Sequence, residues 1–153
     1  MEPISMRRRV VALLAGIAAA SLLPFRVARA QADPFAALLK QVTGGATVRP
    51  GRVKVDTPRL ADNGHSVPLT VSVESPLTAA DHVRSITLLS ERNPRPLMAT
   101  FHLGPKAGRA EVTTRVRLNG TQRVLAVAHL ADGSYWSGTA EVEVTESACL
   151  DMG

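Results

Sequence analysis

From Val67 to Val73 the chain alternates apolar and other residues one by one: Val67, Leu69, Val71 and Val73 are separated by Pro68, Thr70 and Ser72. Side chains two residues apart share a face only in an extended strand, so this run demands a sheet with one buried side. Pro68 has no N–H to give to a ladder, which places its strand at a sheet edge or a bulge. The pattern recurs over Glu111 to Leu118, where Val112, Thr114, Val116 and Leu118 point one way and Glu111, Thr113, Arg115 and Arg117 the other. His82 to Ser90 and Leu97 to Leu103 read as further strands. Val124 to Leu130 is almost continuously apolar, as a central strand covered on both faces requires. Asp132-Gly133 is a hairpin turn joining it to a strand around Tyr135-Trp136 that runs on to Thr145. Asp62-Asn63-Gly64, Asn93-Pro94, Gly104-Pro105 and Asn119-Gly120 punctuate the rest. Short strands at this spacing predict an all-β, immunoglobulin-like β-sandwich over residues 47–145. With a single cysteine in the sequence no bridge can join the sheets, so apolar packing must hold them.

A short helix is expected ahead of the sandwich, within residues 31–46. Asp33 suits the N-cap and Pro34 the first helical position. Phe35, Leu38, Leu39 and Val42 fall on one face, and Gly44-Gly45 end the run. That face is expected to dock on the body of the domain.

Residues 1–30 have a different character. Arg7, Arg8 and Arg9 precede an apolar run from Val10 to Leu23, and Ala28-Arg29-Ala30 is a small-x-small cleavage site. The run is too short for a membrane span, which needs about 20 residues. The layout is that of a signal peptide, with the mature chain beginning near Gln31 and reaching the periplasm. The consecutive arginines ahead of Val10-Val11 fit a twin-arginine signal, and a general secretory signal fits as well. The net charge of +5 resides mostly here, because these residues hold five arginines and one glutamate. The remainder is nearly neutral and only 3% of the chain is aromatic, which argues against nucleic-acid binding.

Signatures of catalysis are scarce. His65, His82, His102 and His129 are scattered, with no cysteine near any of them to complete a zinc site. No phosphate-binding glycine loop or nucleophile elbow occurs. Trp136 reads as a core or interface aromatic. No catalytic residue, metal ligand or cofactor is expected. Cys149 stands apart, because it lies beyond the last strand, the fifth residue counted from the end, where a thiol is exposed. Glu146, Asp151 and the terminal carboxylate disfavour its thiolate, so a partner must supply the activation. Such a thiol suits a cargo attachment point, carried on an arm of residues 146–153. A cysteine-dependent enzyme and a plain binding or structural module are the alternatives.

Two stretches connect this chain to a known family. Arg52 to Gly64, continuing through Val67-Pro68-Leu69-Thr70-Val71, and Asn93-Pro94-Arg95-Pro96-Leu97-Met98-Ala99-Thr100-Phe101 both resemble the SoxY sulfur carriers, as do the Asp132-Gly133 hairpin and the helix ending at Gly45. The resemblance implies a subunit paired with a second β-sandwich subunit, SoxZ, in bacterial thiosulfate oxidation. It further implies three visiting enzymes: a haem enzyme that conjugates thiosulfate to the carrier cysteine, a thiosulfohydrolase that releases sulfate, and a sulfane dehydrogenase. The sulfur would be held on Cys149, with Ser147, Ala148, Leu150, Asp151, Met152 and Gly153 forming the arm. The family's terminal motif is Gly-Gly-Cys-Gly-Gly; here bulky Leu150 and Met152 and charged Asp151 follow the cysteine.

Overall fold

The computed structural model describes residues 35–147, which belong to one compact unit. Nine strands follow one helix: α1 (Ala36–Thr43), β1 (Val48–Pro50), β2 (Val53–Asp56), β3 (Leu60–Asn63), β4 (Val67–Val73), β5 (Val83–Ser90), β6 (Leu97–His102), β7 (Glu111–Val116), β8 (Gln122–Leu130) and β9 (Tyr135–Glu146). They form an immunoglobulin-like sandwich of a six-stranded sheet, β1-β9-β8-β5-β6 with β3 also on β9, and a three-stranded sheet, β2-β4-β7.

The alternation in β4 puts Val67, Leu69, Val71 and Val73 into the space between the sheets. Ile86 and Leu88 of β5 and Val124, Ala126, Ala128 and Leu130 of β8 meet them there. Each such valine, leucine or isoleucine, fully buried, contributes about 1.5–3 kcal/mol. β8 pairs with both β5 and β9, which makes it the interior strand its apolar run requires. Its other face, Leu125 and Val127 together with Leu89 of β5, is covered by Phe35, Leu38, Leu39 and Val42. The helix is therefore a lid on the outer face of the large sheet. Gly44 closes it with φ 65°, and its own N–H and that of Gly45 both reach the Lys40 carbonyl. Phe35 occupies the N-cap position without a side-chain cap, and its carbonyl accepts the first helical bond from Leu39. Asp33 and Pro34, expected to open the helix, lie outside the described residues.

β4, expected at an edge or a bulge because of Pro68, is the middle strand of the smaller sheet, and its register with β7 is unbroken from Val67 to Ser72. Proline is accommodated because β2 has already ended: its pairing stops at Asp56 opposite Thr70. Beyond that point the β2 side of β4 is open, and the Pro68 carbonyl accepts a bond from the Thr57 hydroxyl.

Between β1 and β2 the chain leaves the large sheet for the small one. Gly51 (φ 110°) and Arg52 (φ 57°) make the step. A left-handed arginine costs roughly 1–2 kcal/mol, and four contacts hold it. Its Nε donates to the Glu74 carbonyl, its carbonyl accepts from the Glu74 N–H, and its guanidinium pairs with Asp81 at 3.1 Å. The guanidinium also lies 5.6 Å from the centre of the Trp136 ring, with Arg49 at 5.7 Å. Trp136 thus packs against the core at this crossing, its Nε1 donating to the Ser134 hydroxyl.

Candidate functional site

The last described residue is Ser147, and the way β9 arrives there defines the root of the C-terminal arm. β8 holds one side of the strand's final turn through Gln122 opposite Val142. β3 holds the other in parallel register, Leu60 with Glu143, Ala61 with Val144 and Asn63 with Glu146. Side chains and turns add further ties. The Val144 N–H donates to the Thr121 hydroxyl at 3.0 Å, and the Thr145 hydroxyl donates to the Ala61 carbonyl at 3.2 Å. Gly64 N–H donates to the Glu146 carbonyl at 2.8 Å, while the Gly64 carbonyl accepts from Leu118 N–H. Gly120, at φ 79°, lies so close that a Cβ there would meet the Ser147 hydroxyl at 3.1 Å. The chain is therefore fastened up to Glu146 between the Asn63-Gly64 and Asn119-Gly120 turns.

Behind those turns sits a polar network that the sequence did not disclose. Gln122, almost fully buried, accepts from the Ser90 hydroxyl at 2.7 Å and from Arg92 N–H, and its amide donates to the Asn93 side chain. Asn93 also accepts from Asn119 N–H at 2.9 Å and donates to the Arg117 carbonyl at 2.7 Å. Asn93 was legible only as a turn residue; the partners of its side chain are 24 to 29 positions away. It joins the loop after β5 to the loop that carries Gly120, and so positions the root. Asn93→Ala would leave the Gln122 amide, the Asn119 N–H and the Arg117 carbonyl short of a partner. A loss of about 1–3 kcal/mol is expected, read as a lower midpoint in urea with an unchanged slope.

A groove of about 560 Å³ opens beside the root, lined by Arg59, Arg92, Arg123, Glu91, Glu141 and Glu143 around Thr121, Gln122 and Val142. Its charges balance. The Arg123 side chain beside Glu91, and then its backbone N–H, hold the Glu91 carboxyl below the usual glutamate range.

The four histidines are dispersed as the sequence suggests. His129 stacks on Tyr135 at 4.4 Å, and burial, with Arg84 second, pushes its imidazole below the usual value. That stack lies at the other end of β8 from Gln122, roughly 23 Å along a strand, so it is remote from the root. His82 Nδ1 lies 3.1 Å from the Thr78 carbonyl and 3.2 Å from that of Ala79. His102 is exposed on β6. His65 follows Gly64, whose N–H donates to the Glu146 carbonyl at the root. Among the described residues no group of three or more histidines, cysteines or carboxylates is disposed to hold a metal.

Of the arm residues 146–153, Glu146 is the last residue of β9 and Ser147 follows it, both exposed. Cys149, Ala148, Leu150, Asp151, Met152 and Gly153 lie outside the described residues. Cys149 follows Ser147 by two positions, a span of at most about 7 Å.

The family model for sulfur oxidation protein SoxY matches residues 39–149, ending on the cysteine itself. The chain belongs to the SoxY family. SoxY proteins are carriers in sulfur oxidation, so membership assigns this chain a carrier role in that process. Among solved structures, the sulfur carrier protein SoxY from Chlorobium limicola f thiosulfatophilum superposes with a TM-score of 0.61 at 23% identity, covering 71% of this chain and 89% of that one. Superoxide reductase (neelaredoxin) from Ignicoccus hospitalis gives 0.55 at 21% identity, over 61% and 80% of the two chains. The superoxide reductase from Nanoarchaeum equitans gives 0.52 at 13%, over 63% and 100%. At these identities the likeness is one of fold. No curated protein matches.

Proposed function

We propose that this SoxY-family chain is a periplasmic, non-catalytic carrier that holds sulfur intermediates of thiosulfate oxidation covalently on Cys149. Residues 1–30 direct export and are removed near Gln31. The sandwich then presents the arm, Ser147 to Gly153, to enzymes that supply the chemistry: a haem enzyme that loads thiosulfate, a thiosulfohydrolase and a sulfane dehydrogenase. A SoxZ-like β-sandwich completes the carrier as its second subunit. The chain needs no cofactor of its own in this role, because the cargo sulfur itself is the reactive group.

The observation that carries this reading is the arm root. β9 is held by β8 as far as Val142, by the Thr121 hydroxyl at Val144 and by β3 as far as Glu146, and the lone thiol follows three residues later. A rigid body ending just short of a reactive group is what a carrier requires, because the body supplies recognition and the arm supplies reach. The extent of the family match, up to residue 149, supports the same assignment.

The bulky residues after the cysteine favour one second reading, a diverged binding or structural module that has lost the carrier function of its arm. Intact mass spectrometry of the protein from cells oxidising thiosulfate separates the two. The expected result is a chain starting near Gln31 with sulfur adducts on the Cys149 peptide that a thiol reductant removes. An unmodified thiol throughout turnover would favour the second reading, and retention of Arg7 to Leu23 would overturn the export assignment.

A further inference from the structure

Both sheets end on the same side of the sandwich, the large one at β6 and the small one at β7, and among the described residues neither strand pairs with another beyond it. The seam between them is a groove of about 270 Å³ in which Met98 and Ala99 of β6 face Thr114 and Val116 of β7. The seam is open to the core: Met98 and Phe101 pack on the inner cluster yet stay partly exposed, and Leu97 is 48% exposed. Its charge is of one sign. Arg95, Arg115 and Arg117 line it with no carboxylate among them. Arg115 donates only to the Ser66 carbonyl and hydroxyl, and among the described residues none of the three forms an ion pair.

Among the described residues the outer backbone edge of β6 is unpaired as well. Leu103 N–H donates to the Arg84 carbonyl, and Phe101 stands opposite Ile86. In an antiparallel ladder the bonded positions alternate, so Ala99 and Phe101 turn their amides toward β5. Thr100 and His102 therefore turn theirs outward. A row of free backbone groups beside an apolar groove is a template for one more strand.

We propose that this seam is a docking edge for an extended, acidic segment of a partner protein, which adds to β6 as a further strand and sets its carboxylates against Arg95, Arg115 and Arg117. The occupant's alternate side chains cover Met98 and Phe101. The seam abuts the arm root, since Asn93 binds the Arg117 carbonyl and Leu118 binds Gly64. A partner held there stands beside the arm. The proposal deepens the function above and rests on it only for the existence of a partner.

Because the site is separate from the thiol, the test uses the Cys149→Ser chain, so failure of sulfur loading and failure of docking cannot be confused. The probe is a ten-residue peptide of alternating valine and glutamate, with a valine–lysine counterpart. Expected are binding of the acidic peptide alone, at least tenfold slower exchange of the Thr100 and His102 amides at saturation, and at least tenfold weaker binding by Arg95→Glu/Arg117→Glu. Among the described residues those two side chains have no hydrogen-bond or ion-pair partner to lose, so the fold is retained. Equal binding of the lysine peptide, or an acidic peptide indifferent to the charge reversal, would overturn the proposal. So would self-association of the chain that the same reversal abolishes, since the edge would then belong to a second copy.

Discussion

Replacing Gly138 with valine is expected to cost at least about 3 kcal/mol and to leave little folded protein at 37 °C, as read by urea denaturation and by soluble yield. Gly138 sits in the middle of β9 opposite Ala126, at the place where the chain crosses from β1 to β2. A Cβ there would lie 2.9 Å from the Val53 carbonyl carbon and closer still to its oxygen. No side-chain rotamer relieves a clash with backbone, so β2 must lift away. Lifting it opens the core at Val53 and strains the Arg52 crossing that Trp136 and Asp81 hold. Overpacking of a well-packed core typically costs 1–3 kcal/mol, and this one displaces a strand instead of a side chain. Gly138→Ala makes the same first contact, and a smaller but clear loss is expected. A near-neutral alanine variant would show that β2 is not pressed against β9 as described.

Cys149→Ser is expected to abolish sulfur loading completely while shifting stability by no more than about 0.5 kcal/mol, the usual range for surface changes. A hydroxyl is nearly isosteric with the thiol, yet at neutral pH it supplies no thiolate to take up sulfur. The cysteine follows the exposed Glu146 and Ser147, past the last of the bonds that bind β9 into the sheets. Intact mass after exposure to thiosulfate-oxidising enzymes reads the first effect, and thermal unfolding the second. Persisting adducts would remove Cys149 from the proposed function, and a large drop in midpoint would make it a packing residue. Changing Leu150, Asp151 and Met152 to glycine is the companion variant. Glycine gives a narrower and freer arm, so faster turnover by a thiosulfohydrolase is expected if side-chain bulk limits entry to its active site.

The two kinds of information in the sequence differ in range. Alternation in β4 and β7, the nearly continuous apolar run of β8 and the Asp132-Gly133 turn are local, and each reads directly because the side-chain period is a property of one strand. The face of α1 was legible for the same reason, down to the four residues that meet Leu89, Leu125 and Val127. Pairings between distant segments left no such trace. β3 is four residues with one buried, too short to show a period, and its parallel register with β9 joins positions more than 80 apart. Pro68 was misread because its tolerance depends on where β2 stops, which is a fact about another strand. At the candidate site the thiol was evident as a lone cysteine, while Asn93, Gln122 and Thr121, which set the place it is presented from, looked like ordinary turn and strand polar residues.

The parallel grip of β3 on the end of β9 has a mechanical consequence. A partner that seizes the arm and pulls along the strand direction loads the β3–β9 and β8–β9 ladders lengthwise. The hydrogen bonds then resist as a set in shear, whereas a strand peeled sideways gives them up one at a time. Tension applied at Cys149 should thus reach the body of the sandwich undiminished instead of unravelling its last strand. An enzyme could draw the cargo inward repeatedly, and the carrier would survive each withdrawal with its fold intact.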